Sequence, residues 1–433
     1  MVATIIISVI TCICLILSVL LFPKIKLFGK QLNTYWIVCL LGAGFILLFQ
    51  GISLKEVWEG LTADSGINPL KILVLFISMT FLSVFLDELG FFKYLATLAT
   101  KNAKTNQMTL FFTLYFLISV LTVFTSNDIV ILTFTPFICY FAKNTKIDPI
   151  PYLVAEFAAA NTWSMMLIIG NPTNVYLATS ANINFISYLK VMALPTLLAG
   201  VAEVLVLILL FRKKLREPLC VEISEERIQD KPSLVIGLAH LGVCLVLLTI
   251  SSYVRLDMWL ICLFCAVSLI VCAGGIAIAK KRPPVILANT AKRLPWDLIP
   301  FVIAMFIVVL ALEKQQVTNV LRDLLGEKQT VFRYGFSSFL ACNLINNIPM
   351  SVLFSTIPNM SASTQTYQAI YSTIVGSNVG AFLTPIGALA GIMFTDLINK
   401  QNVRYSFPAF IKYGVIISLP TLMMALVGLT IVL

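Results

Sequence analysis

Apolar stretches of about 20 residues alternate with short polar ones along the whole chain, which is the signature of repeated bilayer crossing. The spans fall near 3–22, 34–52, 69–87, 108–142, 150–178, 191–211, 233–252, 257–279, 297–313, 330–358, 367–395 and 408–432. Two of them differ from the rest. The span 108–142 is too long for one crossing and is interrupted by "TSND" at 125–128, and 330–358 is interrupted by "NN" at 346–347. Each interruption leaves arms of roughly 12 to 18 residues, the pattern of a re-entrant helical hairpin with a polar tip. Two further spans carry a proline among small and polar residues, in "LIIGNPTNVYLA" (167–178) and "AFLTPIGALAGI" (381–392). Proline cannot donate to the preceding turn, so Pro172 and Pro385, with Gly170 and Gly380 beside them, are expected to break those helices.

The pattern also sets an orientation. If both hairpins enter and leave on one face, every other span crosses once and residue 1 lies outside, then 22 of the 30 Lys and Arg residues fall inside. Among them are Lys24, Lys104, Lys146, Lys214, Arg227, Lys280, Arg293 and Lys400. That excess is what the positive-inside rule asks for. Treating either hairpin as a plain crossing inverts every later loop and spoils it. The first hairpin then enters from the cytoplasm and the second from outside, as an inverted-topology repeat requires. Three stretches answer each other in order: "VFLDELGFF" (84–92) and "VLALEKQQV" (309–317), "SNDIVILTF" (126–134) and "INNIPMSVL" (345–353), "IIGNPTNVYLA" (168–178) and "AFLTPIGALAG" (381–391). The expected fold is an all-α polytopic membrane protein of two inverted repeats, 1–211 and 233–433, joined by a charged cytoplasmic linker at 212–232. Each half would hold one hairpin and one broken helix.

Composition narrows the function classes. The chain has 433 residues, 59% hydrophobic and 12% charged, with a mean hydropathy of +0.96. It has no room for a large soluble domain. The net charge of +10 is accounted for by cytoplasmic loops and needs no nucleic-acid partner. Ten cysteines lie singly inside apolar runs, so neither a disulfide framework nor a zinc site is expected. The single histidine, His240, reads as a packed helix residue. The N-terminal run has no basic leader and is followed by its positive charges, so it reads as a first membrane helix and not a cleaved signal. No phosphate-binding loop is present, so primary pumping would need a separate ATPase subunit. One histidine and no paired membrane aspartates leave little for an intramembrane enzyme. Broken helices also line channels, but gates on opposite faces favour alternating access.

Irregular backbone survives at membrane depth only where it lines protein or a wet cavity. Four interruptions near the midplane therefore point to a transport site. Half-helix N-termini there suit an anionic or polar solute, and exposed carbonyls with amide or hydroxyl oxygens suit a cation. The candidates at the tips are Ser126, Asn127 and Asp128 in the first hairpin and Asn346 and Asn347 in the second. The first broken helix offers Asn161, Ser164, Asn171, Thr173 and Asn174, and the second Ser377, Asn378, Thr384 and Gly387. Any one of these amides would read as interhelical glue worth about 1 kcal/mol. Two amide-rich tips facing two broken helices in matching positions make a stronger pattern. Asp128 is the sharpest candidate, for ion or proton coupling, against a capping role at its own helix. Asp87 and Glu88 read as a solvated helix end, and Glu156 and Glu203 as buried acids with no evident partner.

With these residues, the chain resembles the arsenite permease family, within the ion transporter superfamily that also holds sodium/proton antiporters and sodium-coupled citrate and dicarboxylate carriers. The likeness runs through "FLDELGFFKY", "SNDIVILTFTPFI", "ANTWSMMLIIGNPTN", "PWDLIPFVIAMFIVVLAL", "INNIPMSVL" and "VGSNVGAFLTPIGALAGIMF". It implies the hairpin fold, a homodimer in the bilayer, elevator-like movement of the hairpin domain, and transport of arsenite or antimonite coupled to protons or sodium, with no resident cofactor. In those permeases the positions matching Asn161 and Asn378 are commonly Asp; here both are amides, so two negative charges are missing from the expected site. An amide-lined site tolerates a carboxylate or oxyanion better, and "GNPTN" leans toward the organic-anion carriers. A sodium-coupled citrate or dicarboxylate carrier and a sodium/proton antiporter are the alternatives.

Overall fold

A computed structural model gives the fold of residues 2–22, 24–27, 30–63, 68–103, 106–218, 228, 230–254, 256–357 and 363–433. Within the linker expected at 212–232, positions 219–227 and 229 lie outside the described residues, as do Lys104 and the last residue of the span 330–358. The chain is helical almost throughout. In the first half, α1 (Val2–Leu21) leads through a small antiparallel pair, β1 (Lys24–Leu27) and β2 (Lys30–Asn33), to α2 (Thr34–Leu48). There follow α3 (Leu54–Thr62), α4 (Pro69–Glu88), α5 (Phe91–Ala103), the hairpin arms α6 (Gln107–Phe124) and α7 (Asn127–Thr145), the half-helices α8 (Ile150–Trp163) and α9 (Pro172–Ser180), and α10 (Phe185–Phe211). The second half runs α11 (Lys231–Val254), α12 (Met258–Ala279), α13 (Val285–Arg293), α14 (Leu298–Lys314), α15 (Val317–Leu325), α16 (Thr330–Ile345), α17 (Asn347–Thr356), α18 (Ser363–Gly380), α19 (Leu389–Lys400) and α20 (Phe407–Val432). Among the described residues, seven helical segments are long and apolar enough to cross a bilayer, by length and composition.

The two lists correspond element by element, α1 to α11 through α10 to α20. Packing follows the same correspondence. The helix α2 packs on α14 and its counterpart α12 on α4; α7 packs on α19 and α17 on α9; α10 and α20 pack on each other. Exchange of partners between halves is what a two-fold relation between them produces. Boundaries are set by local chemistry. Asn68 and Asn106 accept backbone N–H groups at the starts of α4 and α6, while Asn184 and Ser406 do so for α10 and α20. A large apolar core runs through both hairpins and α8, α10, α18 and α20. A separate cluster, including Leu15, Cys39, Phe76 and Phe301, unites α1, α2, α4 and α14, and Ile348 near the tip of the second hairpin presses into it.

Ion pairs between elements link distant segments: Lys24–Asp396 at 2.9 Å, Lys280–Asp230 at 3.2 Å, Arg293–Asp87 at 2.6 Å, Lys314–Glu56 at 2.6 Å, Lys71–Asp257 at 3.7 Å, and Lys214–Asp148. Each joins two segments that the charge-based layout puts on one side of the membrane: Glu56, Lys71, Asp257 and Lys314 outside, the others inside.

The hydropathy pattern missed four short helices, α3, α5, α13 and α15, which are amphipathic or too short to register as spans. The register between halves also differs from the sequence match, by one residue at the hairpins and by four at the breaks, where α9 starts at Pro172 and α19 at Leu389, so that Pro172 and Pro385 are not counterparts. The second hairpin arms start at Asn127 and Asn347, so Asn127, and not Asp128, is the counterpart of Asn347.

Candidate functional site

The first hairpin turns at Thr125 and Ser126, and α7 restarts at Asn127. From there Asn127 Nδ2 donates to Asn161 Oδ1 at 3.1 Å, in the last turn of α8. Its side-chain Oδ1 accepts the backbone N–H of Asp128 at 2.9 Å. Asn161 Nδ2 donates to Phe157 O at 2.8 Å, so this amide is held against its own helix. The first tip is thus pinned to the first broken helix.

That helix stops earlier than its proline. After Trp163 come two short 3-10 turns, Ser164–Met166 and Ile168–Gly170, before α9 begins at Pro172. Sequence reasoning made Pro172 an interruption; it is the first residue of a new helix, where its missing N–H costs nothing. Asn171 caps that helix, accepting Thr173 N–H at 3.1 Å. A Cβ on Gly170 would sit 2.1 Å from Ser164 O, so only glycine lets the turn fold back this closely. In the second broken helix α18 ends at Gly380 and α19 starts at Leu389, which leaves Pro385 within an irregular stretch. Gly376 and Gly380 allow α18 to lie against α16: an added Cβ would meet Ser338 Oγ at 2.0 Å or Cys342 Sγ at 2.4 Å.

The two breaks meet at Asn378. Its Oδ1 accepts from Ser164 Oγ at 2.9 Å and from Asn171 Nδ2 at 3.0 Å. Its Nδ2 donates to Asn174 Oδ1 at 2.6 Å and Ile374 O at 2.8 Å. All four hydrogen-bonding positions of the amide are filled. Asn174 Nδ2 in turn donates to Ser164 O at 2.8 Å and Leu167 O at 3.2 Å, and the hydroxyls of Thr173 and Ser377 lie 3.1 Å apart. Asn161, Ser164, Asn174, Ser377 and Asn378 are fully buried. No formal charge enters this hub.

The second tip is tied to the second break by backbone groups. Asn347 N–H donates to Gly387 O at 2.9 Å, and Asn346 Nδ2 donates to Ile386 O at 2.9 Å. Thr384 Oγ1 donates to Asn343 Oδ1 at 2.6 Å, whose Nδ2 donates to Gly380 O at 3.0 Å. Asn343 was missed by sequence reasoning; it lies in the last turn of α16, just before the chain turns at Asn346 into α17, and its place in the amide run 343, 346 and 347 was its signal. The candidates therefore form a chain of contacts, from first tip to first break to second break to second tip.

Capacity for a ligand is concentrated at the tips. Ser126 Oγ and Asn347 Oδ1 are buried without a hydrogen-bond partner in the structure. Asp128, in the first turn of α7, makes no side-chain hydrogen bond or ion pair among the described residues, and it lies within electrostatic reach of Tyr35 of α2. A narrow cleft lined by Phe76, Thr173, Tyr176, Val302, Ile348 and Ser351 runs between α4 and α14 on one side and α9 and α17 on the other. It reaches the hub at Thr173.

The four other acids singled out in the sequence all have partners. Thr135 Oγ1 donates to Glu156 Oε1 at 2.8 Å. Glu203 accepts from Tyr115 at 3.0 Å and is also bonded by Thr162. Asp87 and Glu88 are not a solvated helix end: their side chains are 8% and 15% exposed and each lies 2.6 Å from a guanidinium nitrogen of Arg293, with Thr133 Oγ1 donating to Asp87 at 2.8 Å. His240 bridges α11 to Ser268 of α12, 3.1 Å from its hydroxyl, as a packed residue would.

Comparison with known proteins agrees with this architecture. The family described as "Citrate transporter" (CitMHS) matches residues 27–372. An "Arsenical pump membrane protein" of Escherichia coli is 25% identical over 380 residues, covering 82% of this chain and 84% of that protein. A protein of the same description from Yersinia enterocolitica is 27% identical over 375 residues, with the same coverage. The crystal structure of the YdaH transporter of Alcanivorax borkumensis superposes with a TM-score of 0.55 at 14% identity, over 99% of this chain and 98% of that one, and shares the fold.

Proposed function

This chain belongs to the citrate transporter family and is a membrane transporter; we propose that it is a secondary active carrier of a small oxyanion or metalloid hydroxide, with arsenite and antimonite the first candidates, in the plasma membrane. The halves 1–211 and 233–433 act as inverted repeats, and the solute stops between the hairpin tips. The observation that carries this reading is the division of labour in the site. The hub around Asn378 is saturated, while Ser126, Asn347 and Asp128 at the tips keep free hydrogen-bonding capacity. An uncharged metalloid hydroxide presents both donors and acceptors and is matched by amides and hydroxyls without a counter-charge. Asp128 supplies coupling to protons or sodium. Ser164, Asn171, Thr173, Asn174, Ser377 and Asn378 hold the two breaks together, and Asn127, Asn161, Asn346, Thr384 and Gly387 hold the tips to them. A homodimer completes the assembly in the bilayer, and an ATPase subunit is not required for gradient-driven transport.

A second reading, a sodium-coupled carrier of citrate or a dicarboxylate, is favoured by the description of the matching family and by amides standing where a carboxylate would repel one. A thermal-shift series on the purified protein separates the two. Arsenite, antimonite, citrate, succinate and phosphate are compared with and without sodium, since a ligand bound to the folded state raises Tm by mass action. Stabilisation by arsenite or antimonite alone supports the first reading. Stabilisation by citrate or succinate that requires sodium replaces it with the second.

A further inference from the structure

The correspondence between halves breaks down in charge at the ends of α4 and α14. Asp87 stands three residues before Gly90, which has φ +77°, and the N–H of Gly90 donates to Asp87 O at 2.8 Å. Glu313 stands three residues before Gln316, which has φ +61°, with the same bond to Glu313 O at 2.8 Å. Glu313 is therefore the counterpart of Asp87. The partners differ. Asp87 is held by Arg293, the last residue of α13, and by Thr133, the seventh residue of α7. At the same places in the other half stand Thr62, the last residue of α3, and Leu353, the seventh residue of α17. Neither can neutralise a carboxylate, and Glu313 has no ion pair among the described residues. The nearest cation in sequence, Lys314, is already 2.6 Å from Glu56.

In that half a cavity of about 140 Å³ opens where the guanidinium lies in the first, lined by Gly60, Ala63, Tyr176, Phe306, Val352 and Glu313 among others. Gly60 keeps α3 close, since a Cβ there would come within 3.0 Å of Leu310 Cδ2. The hydroxyl of Tyr176, a residue 3% exposed, is buried with no hydrogen-bond partner, and Tyr176 lines both this cavity and the cleft leading to Thr173. A carboxylate at the mouth, two aromatic rings in the wall and one unused hydroxyl suit a small planar organic cation. The carboxylate pairs with its N–H groups, and the rings receive its face.

We propose that this cavity binds a guanidinium-type cation from the outer side, supplying to the second half what Arg293 supplies to the first. A bound cation ties α17, the second arm of a hairpin, to α3 and α14, so occupancy restrains that hairpin.

The test is thermal unfolding of the full chain in detergent with millimolar methylguanidinium, against sodium chloride of equal ionic strength. Wild type is expected to show a saturable rise in Tm of about 2–4 °C. Glu313→Gln is expected to abolish it, and the exposed position of that carboxylate makes misfolding an inadequate explanation for the loss. Thr62→Arg, which puts a guanidinium on the matching residue of α3, is expected to raise Tm without ligand and to remove the response. No shift in wild type, an equal shift in Glu313→Gln, or a response that survives Thr62→Arg each overturns the assignment.

Discussion

At the scale of single residues, an amide and an acid are not interchangeable in the hub. Asn378 Nδ2 faces two acceptors, Asn174 Oδ1 and Ile374 O. In Asn378→Asp a neutral carboxyl can still donate to one of them, whereas the carboxylate can donate to neither. Whichever form the acid takes, at least one of the two buried acceptors loses its donor, so Asn378→Asp should lower Tm by several degrees relative to wild type measured in parallel. At the tips the expected effects are functional. Asn347→Ala removes a buried oxygen with no internal partner, and should weaken apparent solute affinity about tenfold, the loss of one polar contact, with little change in Tm. Asn171→Ala, which removes both a helix cap and a bond to Asn378, should instead lower Tm. Asp128→Asn should leave the protein folded and make uptake into proteoliposomes insensitive to pH and sodium. Retention of both dependences would leave Asp128 as a residue that merely favours the start of its helix.

At the scale of elements, the hydropathy pattern contained the long helices, both hairpins and both breaks, because each depends on the local contrast between apolar runs and polar tips. It did not contain what depends on distant contact. The partner of Asp87 and Glu88 lies at position 293, and nothing near residue 88 announces it. Nor did it contain the offsets between halves, which are set by where helices start and by left-handed residues such as Gln316. The candidate residues were legible because amides in apolar sequence are rare, but their division into hub and tips was not, since both are Asn. The Arg293 contact gives an element-scale expectation. Arg293→Gln leaves two largely buried carboxylates unpaired and should destabilise the α4–α13 junction by about 1–3 kcal/mol, less than for a fully buried pair because the guanidinium is partly solvated. Adding Asp87→Asn should recover part of the lost Tm.

At the scale of the whole molecule, the proposed carrier would alternate its access if the hairpins and broken helices shifted as a body against α2, α4 and α14. The hub joins the two breaks to each other, so they move together if they move at all. The cleft between Leu73 of α4 and Ile348 of α17 lies on the boundary that would slip in such a movement. In a cysteine-depleted background, Leu73→Cys with Ile348→Cys should cross-link under oxidation and arrest transport while the ligand-dependent rise in Tm persists. Reduction should restore flux. Cross-linking that leaves flux intact would place the sliding boundary elsewhere.

The neutrality of the hub has an electrical consequence. A unit charge moved through the full membrane potential exchanges roughly 2.3 kcal/mol per 100 mV, but Asn161, Asn171, Asn174 and Asn378 carry none. When such a knot changes depth in the bilayer, the field does no work on it. Current recorded during turnover would then count the cargo, any ion moved with it and whatever charge Asp128 bears at that moment.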